Sequence, residues 1–107
     1  MKFAEFPDKI RTLAPFSDRF EAFRLPAEGC DVLFATYRPG TRIEPHRHDT
    51  DNWGVITKGE MIIAVNGTET HYRPGEWYHI PAGTEHAARC STLTEEIEFW
   101  FRNDGGR

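Results

Sequence analysis

Short runs of apolar residues alternate with turn-forming residues along most of the chain. The runs are rich in Val, Ile, Phe, Tyr and Trp, which fit the pleated surface of a sheet. The residues between the runs are mainly proline and glycine, which favour turns. They are Pro26, Gly29, Pro39–Gly40, Pro45, Gly59, Asn66–Gly67, Pro74–Gly75, Pro81 and Gly83. Short strands separated in this way predict an all-β sandwich or barrel.

The clearest single element is a hairpin centred on Asn66–Gly67. The run Glu60–Val65 precedes this pair, and the run Thr68–Arg73 follows it. An Asn-Gly pair readily adopts the positive φ angles of a type I′ turn, whose twist matches that of paired strands. We therefore predict that the two runs pair in the antiparallel direction.

The last apolar run, Glu95–Arg102, alternates between two faces, as the period of two in a strand requires. One face carries Ile97, Phe99 and Phe101, and the other carries Glu96, Glu98, Trp100 and Arg102. The pattern predicts a half-buried strand with Trp100 on its outer face. There Trp100 either covers a partner subunit or is a lone exposed aromatic residue, which is common on protein surfaces.

The two ends of the chain are expected to differ from the barrel. The one hint of helix lies around Pro7–Leu13, inside an N-terminal segment of residues 1–20. Residues 103–107, which include two adjacent glycines, are expected to form a frayed tail. The barrel is predicted over residues 30–102, so residues 1–107 are expected to form a single domain.

Composition narrows the class of protein only a little. The 107 residues are 38% hydrophobic and 28% charged, which is ordinary for a globular protein. The net charge is −4 and basic residues do not cluster, which argues against a nucleic-acid-binding surface. The chain has no long apolar run and no signal-like N-terminus, so a cytoplasmic protein is expected. Cys30 and Cys90 cannot form a disulfide framework and are expected to be buried, reduced thiols.

The candidate chemistry lies in three of the five histidines. His46 and His48 are two residues apart, so both side chains point to the same side of a strand. His86 begins a later predicted strand and can supply a third nitrogen ligand. The alternative for the His46–His48 pair taken alone is an ordinary surface pair. Three histidines with open coordination positions are typical of a reactive metal site.

The spacing around these histidines resembles the two sequence motifs of the cupin family. The first motif is matched by Gly40, His46, His48, Asn52 and Gly59, and the second by Gly75, Pro81, Gly83 and His86. The resemblance covers residues 40–90, about half of the chain. It implies an all-β double-stranded β-helix, also called a jelly-roll barrel. It also implies that His46, His48 and His86 bind a divalent transition metal.

Two positions depart from the cupin pattern. Asn52 stands where the first motif usually has Glu, and Cys90 stands where the second usually ends in Asn. Asn52 shares the face of the histidines and is a candidate fourth ligand, although its side chain is one methylene shorter than that of Glu or Gln. The ligand set suits Fe, Zn, Ni or Mn. A divalent ion held without a carboxylate keeps a formal charge of +2, so we expect a preference for an anionic ligand.

The resemblance implies a metal-dependent enzyme of the dioxygenase, isomerase, lyase or decarboxylase type, acting on a small polar or anionic metabolite. A non-catalytic module that binds a metal or small molecule is the alternative, and a metal-free scaffold is a third. Glu44 shares the parity of His46 and His48 and is the candidate catalytic carboxylate, or else a charge at the rim. The candidate substrate-binding residues of the cup wall are Tyr37, Arg38, Trp53, Trp77, Tyr78 and His79.

The N-terminal segment is rich in phenylalanine for a peripheral part of a barrel. Its aromatic residues are Phe3, Phe6, Phe16, Phe20 and Phe23. Small cupins commonly pair through an outer sheet or exchange an N-terminal strand. We therefore predict a homodimer in which the N-terminal segment packs across the partner.

Overall fold

A computed structural model describes residues 6–17 and 20–102 of the chain. Within these residues it contains one short helix and ten strands. The helix is α1 (Asp8–Arg11), and the strands are β1 (Ala14–Pro15), β2 (Glu21–Ala27), β3 (Cys30–Tyr37), β4 (Arg42–His46), β5 (Asp51–Lys58), β6 (Met61–Val65), β7 (Thr68–Tyr72), β8 (Trp77–Ile80), β9 (His86–Arg89) and β10 (Thr94–Phe101). The all-β class and the short N-terminal helix are thus confirmed. The predicted frayed tail, residues 103–107, lies outside the described residues.

The strands form two antiparallel sheets. The larger sheet has the order β1-β2-β3-β10-β5-β8, and the smaller has the order β4-β9-β6-β7. Strands that are distant in sequence lie side by side, because β10 pairs with both β3 and β5. This arrangement is the predicted jelly roll, and it makes β10 an inner strand of the larger sheet. The single helix of the described residues is far too short to span a lipid bilayer.

The predicted hairpin is confirmed. β6 and β7 pair in the antiparallel direction, with Val65 opposite Thr68 at the turn. Asn66 and Gly67 have φ angles of 52° and 79°, as a type I′ turn requires. Asn66 is also the one non-glycine residue in the described ranges with a positive φ. The local sequence therefore determined this element without help from the rest of the fold.

β10 has the predicted alternation, but the face that carries Glu96 and Trp100, predicted to be the outer one, points into the protein. Glu96 pairs with Ala35 of β3 and Ile56 of β5, both of which are fully buried, and it is itself only 1% exposed. Side chains of register partners lie on the same face of a sheet, so Glu96 points into the protein. Trp100, four residues further along β10, shares that face because side chains alternate with a period of two. The prediction that Trp100 lies on the outer face is therefore wrong.

The buried core lies between the two sheets. Its members are Ala22, Ala35, Tyr37, Ile56, Met61, Ile63, Tyr78, Ile80 and Cys90. Cys90 is 3% exposed, in agreement with its expected place in the core. Cys30 is only half-buried, because it begins β3 at the edge of this core, so its predicted full burial is wrong. Both thiols are free.

Gly54 of β5 allows Tyr78 of the neighbouring strand to lie across the sheet. A Cβ atom at residue 54 would lie 2.5 Å from both Cε2 and the hydroxyl oxygen of Tyr78. These distances are too short for any side chain, and the aromatic ring is held in a packed core. Glycine at this position therefore sets the place of the Tyr78 hydroxyl inside the protein.

We expect Gly54→Ala to lower the free energy of unfolding by about 1–3 kcal/mol, the usual cost of adding a methyl group to a packed core. Urea unfolding measures this change. The matched control is Gly67→Ala in the hairpin turn, where a new Cβ has no neighbour within 4 Å and strain arises from the positive φ of 79° alone. The Tyr78→Phe variant should tolerate the Gly54→Ala substitution no better, because the clash involves the ring. A Gly54→Ala protein as stable as the wild type would contradict this account.

Candidate metal centre

Three histidines converge at one end of the smaller sheet. His46 ends β4 and is the register partner of His86, which begins β9. His48 follows β4 by two residues and points to the same side. One ring nitrogen from each histidine lies within 4.8 Å of the others. This spacing suits a single metal ion bound by three imidazole nitrogens.

The hydrogen bonds of two rings orient them for metal binding. Nδ1 of His46 lies 2.7 Å from the backbone oxygen of Glu44, and Nδ1 of His86 lies 2.9 Å from the backbone oxygen of Thr84. A carbonyl oxygen can only accept, so each Nδ1 carries a proton and donates it. Nε2 is therefore the unprotonated atom of each ring and the one that could bind a metal.

Burial favours the neutral form of two of the imidazoles, those of His48 and His86. Partial burial lowers the pKa of His48 below its ordinary value of 6.5, and the nearby rings of His46 and His86 lower it further. Burial likewise lowers the pKa of His86, although the hydrogen bond to Thr84 acts in the opposite direction. A lowered pKa means that these rings remain unprotonated at pH values where an ordinary histidine is charged. Neutral rings are the form that binds a metal.

The donor set therefore fits a divalent transition metal. Imidazole nitrogens suit Fe, Zn and Ni, three of the four metals expected from the sequence, and they also suit Cu. No carboxylate of the described residues belongs to the group of ligand atoms within 4.8 Å of one another. When bound, the metal would supply Lewis-acid chemistry at positions left open by the three histidines.

Asn52, the candidate fourth ligand, is 4% exposed and lines the same cavity as the histidines. Its Oδ1 accepts a hydrogen bond of 2.6 Å from the hydroxyl group of Thr50. An amide oxygen has two lone pairs, so one remains for a metal or a water molecule. Its role as a ligand stays a prediction.

The histidines open into a cavity of about 360 Å³ between the two sheets. Its walls are largely apolar and include Leu33, Ile43, Met61, Ile63 and Ile80. Glu44 lies on the wall as well, but its side chain is exposed. It therefore occupies the rim, which was the alternative considered for this residue.

Only some of the predicted wall residues reach this cavity. Tyr37 and Tyr78 line it, whereas Arg38, Trp53, Trp77 and His79 do not. Trp53 alternates with the inward-pointing Asn52, and His79 alternates with the inward-pointing Tyr78. The prediction that these four residues belong to the cup wall is thus corrected. For Trp53, Trp77 and His79 the physical reason is strand parity, which places their side chains on the outer surface.

The outward-pointing residues have partners of their own. The His79 ring stacks on Trp53 with ring centres 4.1 Å apart, and its Nε2 lies 2.7 Å from a carboxylate oxygen of Asp51. Trp77 is 54% exposed and stacks on Phe99 of β10. Arg38 follows the end of β3 and is exposed. These contacts belong to the outer surface of the larger sheet.

The sequence reasoning missed a carboxyl pair on the cavity wall. Glu96 and Glu98 both line the cavity, and β10 supplies both. The Tyr37 hydroxyl donates to Glu96 at 2.7 Å and also to Glu98 at 3.1 Å. Tyr78 donates to the other oxygen of Glu96, and Nε1 of Trp100 donates to Glu98. The available signal was the parity that Glu96 and Glu98 share with Trp100, but parity alone does not say which face is buried.

Burial makes the two glutamates unequal. Complete burial raises the pKa of Glu96 well above its ordinary value of 4.5, and the charge of Glu98 and a hydrogen bond with it raise the pKa further. Glu96 therefore keeps its proton to a higher pH than an ordinary glutamate. Burial also raises the pKa of Tyr37 and Tyr78 well above 10.0, so both hydroxyl groups remain donors.

Trp100 connects this pair to the histidines. Its indole ring lies 4.4 Å from the ring of His48, measured between centres, while its Nε1 is bonded to Glu98. The ring of Phe16, in the N-terminal segment, makes a T-shaped contact with the Trp100 ring, with ring centres 5.4 Å apart. The carboxyl pair and the three histidines therefore share one continuous wall.

A family model described as a cupin domain matches residues 33–105, well over half of the chain. The chain therefore belongs to the cupin family. Solved structures agree on the fold. A cupin superfamily protein from Desulfitobacterium hafniense DCB-2 superposes with a TM-score of 0.75 at 12% identity, covering 96% of this chain and 100% of that chain. KdgF from Halomonas sp. gives a TM-score of 0.74 at 17% identity, covering 94% and 97%.

One curated relative is similar in sequence over a shorter stretch. The HTH-type transcriptional regulator PuuR of Escherichia coli K12 is 33% identical over 57 residues. The match covers 52% of this chain and 31% of that protein. The matched region thus spans less than a third of the length of PuuR.

Proposed function

We propose that this cupin is a metal-dependent enzyme that acts on a small polar or anionic metabolite. The observation that supports the proposal is the convergence of three histidine nitrogens on the wall of a 360 Å³ cavity. A structural zinc site usually has four protein ligands, whereas three ligands leave room for water or substrate. A cavity of this size suits a small ligand, since typical ligand pockets begin at about 300 Å³.

The reaction classes proposed are those that the family resemblance implies: dioxygenase, isomerase, lyase and decarboxylase. The apolar walls of the cup would exclude water from a bound substrate. Glu44 at the rim is the carboxylate proposed from the sequence for proton transfer, and Glu98 is a second candidate further along the wall. Fe, Zn, Ni and Mn are the metals to test.

Elemental analysis of protein purified without an affinity tag tests the metal. We expect close to one equivalent of a divalent transition metal, either as purified or after reconstitution. Less than about a tenth of an equivalent under both conditions would exclude a metal-dependent enzyme. Oxygen uptake and product analysis with dicarboxylates, keto acids and catechols would then separate dioxygenase from redox-neutral chemistry.

A non-catalytic binding module is the second candidate. The similarity to part of PuuR supports it, because that protein is a transcriptional regulator. This candidate predicts a chain that binds a small molecule in the cup and releases it unchanged. Saturable binding without turnover, in protein that holds its metal, would favour the module over the enzyme.

The outer face of the larger sheet supports the proposed homodimer. Its apolar side chains are half-buried or exposed in the isolated chain, and they run across neighbouring strands. They include Leu25, Val32, Phe34, Trp53, Val55, Trp77, Ile97, Phe99 and Phe101. Apolar faces of this extent commonly mark protein interfaces.

The phenylalanines of the N-terminal segment have partners within their own chain. Phe6 packs against Phe34, Phe16 against Trp100, and Phe20 against Tyr37. Phe3 lies outside the described residues.

We expect light scattering at micromolar concentration to give the mass of a dimer, and Trp77→Glu to give the mass of a monomer. The charge would have to be buried without a partner at a sheet-to-sheet interface, which is costly. Leu93→Glu is the matched control, because Leu93 is similarly apolar and 38% exposed but lies in the turn before β10. A monomeric wild-type protein would refute the dimer, and a dimeric Trp77→Glu variant would refute this face as its interface.

A further inference from the structure

Acidic and aromatic side chains line the cavity together with its aliphatic residues. Its carboxyl groups are Glu44, Glu96 and Glu98, and its aromatic residues are Phe16, Phe20, Tyr37, Tyr78 and Trp100. No lysine or arginine lies among the described residues of its lining. A pocket for a purely anionic ligand usually offers a basic side chain. This lining offers the opposite charge.

Glu98 is the more accessible member of the carboxyl pair. Glu96 is 1% exposed, and burial raises its pKa above the ordinary value. Glu98 is only partly buried and lies on the cavity wall. Tyr37 and Trp100 each donate one hydrogen bond to it. An ionised carboxylate can accept about four hydrogen bonds, so Glu98 keeps capacity for a ligand.

We propose that Glu98 and the Trp100 ring bind the ammonium group of a small ligand inside the cup. A carboxylate pairs with an ammonium group through charge-assisted hydrogen bonds. Aromatic rings attract the same cation through their faces, and the attraction is strongest for tryptophan. Both kinds of group stand together on this wall, since Trp100 is bonded to Glu98.

The proposal names a class of ligand for the cavity. The part in which the ligand also binds a metal rests on the proposed metal-dependent function. The sequence predicted a preference for an anion because a divalent metal held by three neutral imidazoles and an amide keeps a formal charge of +2. A carboxylate at Glu98, on the same wall, would lower that charge by one. A ligand with an oxygen donor at one end and an ammonium group at the other satisfies both the metal and Glu98. Small amino acids and amino alcohols have this combination.

The position of Trp100 limits the length of such a ligand. Its ring centre lies 4.4 Å from that of His48, so the ammonium site and the metal site are neighbours. A short ligand of a few carbon atoms can therefore reach both ends. The cavity of about 360 Å³ lies near the lower limit of ligand pockets, which agrees with a small molecule.

Isothermal titration calorimetry with matched probes tests the ammonium site. β-Alanine and propionate have the same carbon chain and carboxylate, but only β-alanine has an ammonium group. We expect metal-loaded wild-type protein to bind β-alanine roughly tenfold or more tightly than propionate, the effect of one charge-assisted hydrogen bond. 3-Hydroxypropionate distinguishes an ammonium group from any hydrogen-bond donor, and it should fall between the two. Equal affinity for β-alanine and propionate, or no binding of either, would overturn the proposal.

Substitutions locate the site. Glu98→Gln keeps the size of the side chain and one acceptor oxygen but removes its charge, and it should bring the two affinities within about twofold of each other. Glu44→Gln, on the same cavity, and Glu85→Gln, an exposed residue paired with Arg47, should preserve the preference. Loss of the preference in Glu44→Gln alone would place the ammonium group at the rim and refute Glu98. The wild-type comparison remains decisive if a variant fails to fold.

Metal-free protein separates this proposal from the proposed function. Propylamine and 1-propanol have no carboxylate, so their binding does not need the metal. Tighter binding of propylamine that is lost in Glu98→Gln would support the ammonium site even if no metal ever binds. A bound metal together with equal binding of both probes would leave the metal-dependent function standing and refute the ammonium site.

Discussion

Replacing His86 with alanine is expected to abolish stoichiometric metal binding. The ring supplies one of three nitrogens that converge within 4.8 Å, and its Nδ1 is held by the backbone oxygen of Thr84. Substitutions of residues that only support metal ligands already cost about 10–100-fold in affinity, so removal of a ligand should cost more than about 100-fold. Competition with a chromophoric chelator measures the change.

The loss should also appear in thermal stability. A metal present at 100 times its dissociation constant stabilises the folded chain by about 2.7 kcal/mol, because it binds the folded state alone. The wild-type melting temperature should therefore rise on addition of metal, and that of His86→Ala should not. His71→Ala is the matched control, since His71 lies on β7 and bonds to Glu60 outside the cavity. A His86→Ala protein that keeps wild-type affinity would refute the three-histidine site.

Replacing Glu96 with leucine is expected to destabilise the protein by about 2–4 kcal/mol, the cost of leaving buried hydroxyl groups without an acceptor. The Tyr78 hydroxyl donates to Glu96, and the Tyr37 hydroxyl would keep only its longer bond to Glu98. Glu96→Gln retains an acceptor oxygen and nearly the same shape, so it should remain within about 1 kcal/mol of wild type at pH 5. Urea unfolding monitored by circular dichroism measures both.

The same residue gives the stability of the protein a pH dependence. The pKa of Glu96 is raised on folding, so its contribution to stability is complete below its ordinary pKa of 4.5. The contribution is lost as the pH rises through the higher pKa of the folded state, because the unfolded chain releases the proton first. Glu96→Gln has no such proton. We therefore expect the variant to gain stability relative to wild type as the pH rises from 5 to 9, by at most about 1.4 kcal/mol per pH unit.

Glu85→Gln is the control for this series. The Glu85 side chain is 56% exposed and pairs with an exposed arginine, so its removal should change stability little at any pH. A Glu96→Gln curve parallel to that of wild type between pH 5 and 9 would show that Glu96 is ionised in the folded protein. A fully stable Glu96→Leu variant would show that the tyrosine hydroxyl groups do not depend on it.

The sequence by itself determined the elements whose geometry is local. The Asn66–Gly67 turn and the hairpin around it follow from the positive φ angles that these residues tolerate. Gly40, Gly59 and Gly75 also have positive φ angles, as their place in turns required. The three histidines were equally accessible, because a spacing of two residues puts His46 and His48 on one side of any strand.

The tertiary structure decided which faces of the strands are buried. Alternation divides β10 into two faces, but both faces carry large apolar residues, so the sequence does not say which one meets the core. The pairing of Glu96 with Ala35 and Ile56 settles the question, and this pairing joins strands far apart in the chain. Long-range register also decides that the side chains of Trp53 and His79 lie on the outer surface of the larger sheet and not in the cavity. The family and the histidine site could therefore be derived from local spacing, whereas the carboxyl pair beside them exists only because three distant strands meet.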